Sequence, residues 1–160
     1  MLSVEVLGIR IGDGASAPVL ILKELAAEGR VIEIWIGAVE AGAIAMAQQE
    51  VVPPRPLTHD LIVDILNKLN ISLVSVRINE LSEGIYLGEL VLSDGSRIEC
   101  RPSDGVALAI RLDAPILVAE QVFEKAGFVE NPVDGENEEI AESEIEAFKD
   151  FLEGLNPEDF

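Results

Sequence analysis

Basic residues are scarce: 11 Lys+Arg stand against 30 Asp+Glu, a formal net charge of -19. That excludes the broad basic surface by which most nucleic-acid binders release counterions from phosphates, so any contact with a polyanion has to rest on a local site. Cys100 is the sole cysteine, which excludes an intramolecular disulfide and a cysteine-cluster zinc site and fits a reducing setting. His59 is the sole histidine, and no G-x-S-x-G elbow accompanies it, which argues against a serine hydrolase. Glycine-rich phosphate loops are missing after the strands. No apolar run approaches the ~18 residues a membrane helix needs, and "MLSVEVLGIR" lacks the layout of a signal peptide, so a cytoplasmic protein without a membrane partner is expected.

What is present is a foldable composition. The chain has 160 residues, 49% hydrophobic and 26% charged, enough for one domain with a sizeable core. The acidity is uneven, with 12 acids and one lysine in residues 130–160, against 18 acids and 10 bases in the remainder. The composition shift predicts a domain over 1–130 and an acidic tail over 131–160.

Along the chain, alternation and apolar runs predict strands over 2–11, 17–24 and 31–37, and later over 71–81, 84–92 and 96–101. "SEG" and "SDG" join the later three as hairpin turns. A short buried strand is predicted over 114–119. Helices are predicted over 38–49, 57–70, 103–113 and 120–127, the last stopped by Gly127. In the second of these, Leu61, Ile62, Ile65, Leu66 and Leu69 share one side at 3–4 spacing, an amphipathic pattern. Trp35 and Phe123 are expected in the core. The tail repeats 3–4 spacing at Ala141, Ile145, Phe148, Leu152 and Leu155, predicting an acidic amphipathic helix. The fold class that follows is α+β: one compact domain with a mixed, mainly antiparallel sheet packed by helices, plus the tail helix.

Two segments concentrate chemistry. "PPRPLTHD", 53–60, holds Arg55, Thr58, His59 and Asp60, and "RPSDG", 101–105, holds Arg101, Ser103 and Asp104. Both repeat Arg-Pro, a hydroxyl residue and an aspartate at a helix start. Capping explains part of this: Thr58 and Ser103 are good N-caps, and Asp60 and Asp104 complement the helix dipole in the first turn. A functional reading adds that His59 at a helix N-terminus is biased toward the neutral imidazole a general base requires. Should both starts face one crevice, Arg55 and Arg101 would make an anion site. Glu40, His59, Asp60 and Asp104 are also hard donors suited to Mg²⁺ or Mn²⁺.

Taken together, "IEIWIGAVEAGAIAMA" (32–47), "RPLTHDLIVDIL" (55–66), "GIYLGELVL" (84–92) and "RPSDGVALAIRLDAPILVAEQVFEKAG" (101–127) closely resemble the bifunctional nuclease family, also catalogued as a bacterial and plant domain of unknown function. The similarity runs from about residue 2 to 128. It implies a compact mixed α/β domain, often self-associating, with nuclease activity on DNA and RNA attributed to some members. The matched positions are Glu40, Arg55, Pro56, Thr58, His59, Asp60, Arg101, Pro102, Ser103 and Asp104. The chain departs from the family pattern at Glu99-Cys100, where Asp-Ala is usual, and at Gly105, where a small non-glycine residue is usual.

The expectation is a nuclease acting with little sequence preference. Asp60, Asp104 and Glu40 would hold a divalent ion, His59 would take a proton from water, and Arg55 and Arg101, beside Thr58 and Ser103, would meet the phosphate. The rivals are a non-enzymatic oligomeric interaction module, whose acidic tail helix docks a protein partner or second subunit, and a binder of small anions.

Overall fold

The computed structural model describes residues 1–11, 17–26 and 29–129. The expected tail helix lies outside them. Three strands open the chain, β1 (Leu2–Arg10), β2 (Val19–Glu24) and β3 (Val31–Trp35), paired antiparallel in sequence order. Two helices follow, α1 (Ala38–Gln48) and α2 (Thr58–Leu69), then a second antiparallel set of β4 (Leu73–Ser82), β5 (Ile85–Leu92) and β6 (Arg97–Cys100). Helix α3 (Pro102–Leu112), strand β7 (Ile116–Val118) and helix α4 (Glu120–Ala126) complete it. Met1–Val129 form one compact unit.

Local chemistry accounts for the hairpins. Glu83 and Gly84 both take positive φ, at 51° and 80°, which is the backbone of a two-residue turn matching the twist of its flanking strands. At the β5–β6 turn Gly95 has φ 87°, and Asp94 Oδ1 accepts from the Ser96 N–H at 2.9 Å.

The three-residue β7 unites the two sets. It pairs antiparallel with β1 and parallel with β4, giving one seven-stranded sheet in the order β3-β2-β1-β7-β4-β5-β6. The register puts Val4, Leu20, Leu22, Ile32, Ile34, Val76, Ile78, Leu90, Ile116 and Val118 on one face, and all are buried. The sheet curls about that face, so that the Tyr86 hydroxyl on β5 donates to the Glu33 carbonyl on β3 at 3.1 Å. Helix α3 lies against β4 and β5 and packs on α1 and α2. Its Gly105 permits the close approach: a Cβ there would stand 2.7 Å from Val76 Cγ1 and 3.2 Å from Cys100 Sγ.

Three expectations are corrected. Trp35 ends the edge strand β3 and is 67% exposed, because its register sets it on the outer face of the sheet; Phe123 is buried as expected. Neither Thr58 nor Ser103 is an N-cap, since α2 is capped at Leu57 and α3 at Arg101, with Pro102 taking the first helical position. And α2 does not bury its whole apolar side: Leu66 is buried, while Leu61, Ile65 and Leu69 face outward.

Candidate functional site

Three helices begin with the same device. Counting from the N-caps Gly37, Leu57 and Arg101, the third helical residue is Glu40 in α1, Asp60 in α2 and Asp104 in α3, each acidic and in the first turn. A carboxylate there complements the positive helix end. Asp60 also reaches back to accept the Leu57 N–H at 2.9 Å, half of a capping box. Gly37 matters for Glu40, because a Cβ at 37 would lie 2.1 Å from Glu40 Oε2; the bare backbone lets that carboxylate fold back over its own helix start.

Arg101 joins two of these starts. Its Nε donates to Asp104 Oδ2 at 2.7 Å, and its Nη2 donates to Glu40 Oε1 at 2.7 Å and to Asp104 Oδ1 at 3.2 Å. Those bonds hold the guanidinium pKa above its already high ordinary value. They also fix the side chain's plane while leaving Nη1 without a bond among the described residues.

His59 joins the third. The residue is buried, and its Nε2 lies 3.1 Å from Asp104 Oδ1. Burial raises the Asp104 carboxyl pKa, but the hydrogen bonds from Arg101 and His59 outweigh it and leave the group below the usual carboxylate range. An ionised Asp104 is acceptor-only, so His59 Nε2 is the donor in this contact.

Sequence reasoning missed Arg111. This side chain, from the last turn of α3, donates through Nε to Asp60 Oδ1 at 2.7 Å and through Nη1 to the carbonyls of Ala43 and Ala107, each at 2.9 Å. One guanidinium thus ties α1, α2 and α3 together. Burial raises the Asp60 pKa, and bonds from Arg111 and the Leu57 N–H more than offset it, so the carboxyl falls below its ordinary value. The only signal at sequence level is a lone arginine inside the apolar run "VALAIRL".

The structure therefore links Glu40, Arg101, Asp104 and His59 into one chain of contacts and commits Asp60 to Arg111. Ser103 is buried. Thr58 is exposed at the start of α2, and Arg55, two residues before the cap of α2, has no hydrogen bond or ion pair among the described residues. No group of three or more His, Cys, Asp or Glu that could hold a metal ion is found among the described residues. Glu40 and Asp104 share Arg101, and Asp60 faces Arg111, so as they stand the three carboxylates expected as metal ligands do not fit a divalent-cation cage.

Fold and geometry define an α+β domain with a polar site of fixed charges at converging helix starts. Residues 20–131 match the bifunctional nuclease domain, and the chain belongs to that family. Over 162 aligned residues it is 44% identical to two uncharacterized proteins of Mycobacterium tuberculosis, MT1877 from strain CDC 1551 / Oshkosh and Rv1829 from strain ATCC 25618 / H37Rv; each alignment covers 98% of this chain and 96% of the relative. Among the described residues, no helix is long and apolar enough to cross a membrane.

Proposed function

We propose that this chain is a nuclease that hydrolyses phosphodiester bonds of DNA and RNA with little sequence preference, using His59, Asp104 and Arg101. The observation that carries the reading is the Asp104 carboxylate contacting both His59 and Arg101, within a chain of the bifunctional nuclease family. Asp104 holds the imidazole with Nε2 protonated, so Nδ1 is the atom that takes a proton from an attacking water. Arg101, oriented by Glu40 and Asp104, offers its open Nη1 edge to a phosphate oxygen on which charge develops. Arg55, which has no hydrogen bond or ion pair among the described residues, supplies a second phosphate contact, with Thr58 near it in sequence. A divalent ion would have to displace existing arginine bonds, so no step is assigned to it. On this reading the protein works in the cytoplasm, supported by its single cysteine.

One observation favours a binding module instead: both structured arginines of the site already have carboxylate partners. That arrangement would suit a non-catalytic scaffold, with Arg101 Nη1 left as a single contact for a small anion. The deciding experiment is cleavage of end-labelled single-stranded DNA and RNA by purified full-length protein, with Mg²⁺, Mn²⁺ or excess chelator, beside His59→Gln and Arg101→Ala. The reading expects cleavage that falls by about 10²–10³-fold in each variant. Equal trace activity in all three proteins overturns it, and saturable thermal stabilisation by inorganic phosphate that Arg101→Ala abolishes would then support the binding module.

A further inference from the structure

Trp35 is the one tryptophan of the chain, and it stands mostly in water at the end of β3. An indole carries a broad apolar face, so its exposure calls for a reason that an exposed leucine does not. From Ile34 to Gly37 burial alternates, buried, exposed, buried, exposed. Positions 35 and 37 therefore point to the same side of an extended segment, about 7 Å apart. A Cβ at Gly37 would stand 2.1 Å from Glu40 Oε2, and Glu40 Oε1 accepts from Arg101 Nη2 at 2.7 Å. Trp35 thus projects on the side of the strand that carries the Glu40–Arg101 pair, its Cβ at most about 14 Å from Arg101 Nη2. A second link closes the same neighbourhood. The Tyr86 hydroxyl donates to the Glu33 carbonyl, two residues before Trp35, and Gly88, two residues after Tyr86, pairs with Cys100, which directly precedes Arg101.

Charge points to the ligand. In a chain of net charge -19, Arg101 and Arg55 alone give a nucleic acid little electrostatic hold. A contact independent of charge has to supply the rest, and stacking of a base on an aromatic ring is one, worth about 5- to 150-fold in affinity per base. Glu33, two residues earlier on the same outer face, is paired with Arg10, so it does not confront an incoming phosphate as a bare charge.

We propose that Trp35 is a base-stacking residue: resting on the phosphate contact proposed for Arg101, its indole receives the flat face of a nucleobase in a nucleotide flanking that phosphate. Arg101 holds the backbone while Trp35 holds a base. Every base offers a π-face, so the contact adds affinity without reading sequence.

Trp35 is its own reporter, because a stacked base quenches indole emission and no second tryptophan contributes. The probes are phosphorothioate-linked octathymidylate, chosen to resist hydrolysis, and an abasic oligomer of the same length and linkage, each titrated into the full-length protein. Saturable quenching by octathymidylate is expected, with the abasic oligomer binding at least about fivefold more weakly. By anisotropy of labelled octathymidylate, Trp35→Leu should bind about tenfold more weakly than wild type and Trp35→Phe should keep most of the affinity; melting curves check that both stay folded. The proposal is overturned by binding without quenching, by an abasic oligomer bound as tightly as octathymidylate, by Trp35→Leu binding like wild type, or by no binding of either oligomer. Failure of hydrolysis is separable. A protein that distinguishes base from abasic site but cleaves nothing keeps the stacking residue and loses the nuclease reading. Cleavage that needs His59 and Arg101, with Trp35→Leu binding like wild type, does the reverse.

Discussion

Asp104 Oδ1 lies 3.1 Å from His59 Nε2 while the same carboxylate accepts from Arg101 Nε through Oδ2. One acidic side chain at the start of α3 thus sets the orientation of both the histidine and the exposed arginine.

The depressed Asp104 and Asp60 carboxyls make stability pH-dependent with a definite sign. A group whose folded pKa lies below its unfolded value contributes stability that is present above the unfolded value, about 3.9 for aspartate, and is lost as pH falls through the folded value. Melting temperature should therefore hold level from neutral pH toward 5 and then fall steeply below about pH 4. Asp104→Asn should flatten part of that acid limb and cost about 2 kcal/mol at pH 7, the scale of hydrogen bonds to a charged group. Denaturant titrations at pH 3, 4, 5 and 7 measure both.

Arg111 is predicted to matter more for stability than its place outside the sequence motifs suggests. Arg111→Met leaves Asp60 without its cation and removes the side-chain bonds to the Ala43 and Ala107 carbonyls. The expected loss is about 3 kcal/mol. Lysine should recover only a small part, because a point charge cannot reproduce three bonds fanned from one planar group. Urea unfolding of the wild type, Met and Lys proteins reads the difference.

Cys100 and Gly105 should behave as a coupled pair. Gly105→Ala forces a Cβ into Val76 and the Cys100 sulfur, and overpacking of this kind costs about 1–3 kcal/mol. Adding Cys100→Ala relieves the sulfur contact while the closer one to Val76 stays, so the double variant should recover only part of the loss. The thiol itself is pushed up to about 11, by burial first and then by the charge of Asp104. Its reaction with an aromatic disulfide should accordingly be slow at pH 8 and accelerate on unfolding.

The lone tryptophan offers a direct optical check. With Trp35 at the outer face of an edge strand, its emission should already be that of a solvated indole and should shift little on unfolding. Trp35→Ser should change stability by less than about 0.5 kcal/mol, whereas Phe123→Ala, at a buried position, should cost about 3–5 kcal/mol. A large blue-to-red shift on unfolding would contradict the outward register of β3.

Much of the fold was legible because it is written in short-range chemistry. Alternating residues marked β1 and the β4–β5 strands, Glu83-Gly84 and Asp94-Gly95 marked the turns, and Arg-Pro before a hydroxyl residue and an aspartate marked the starts of α2 and α3. His59, Asp104, Arg101 and Glu40 were legible as candidates for the same reason: residue types at helix starts do not depend on the rest of the fold. Arg111 was not, because two of its three acceptors lie on α1 and α2 and only packing brings those within reach. Arg55 showed the converse, a conspicuous residue that joined no hydrogen bond or ion pair among the described residues.

By itself the sequence determined the periodicities, the turns, the single histidine and the carboxylate at each helix start, all properties of a residue and its near neighbours. Only the tertiary structure decided that three residues, Ile116–Val118, would sit between β1 and β4 and unite two separate meanders, that Trp35 would face outward, and that Asp60 would bind Arg111 while Asp104 took His59 and Arg101. Strand order and ion-pair choice depend on which surfaces compete for burial across long stretches of chain, and no local pattern carries that information.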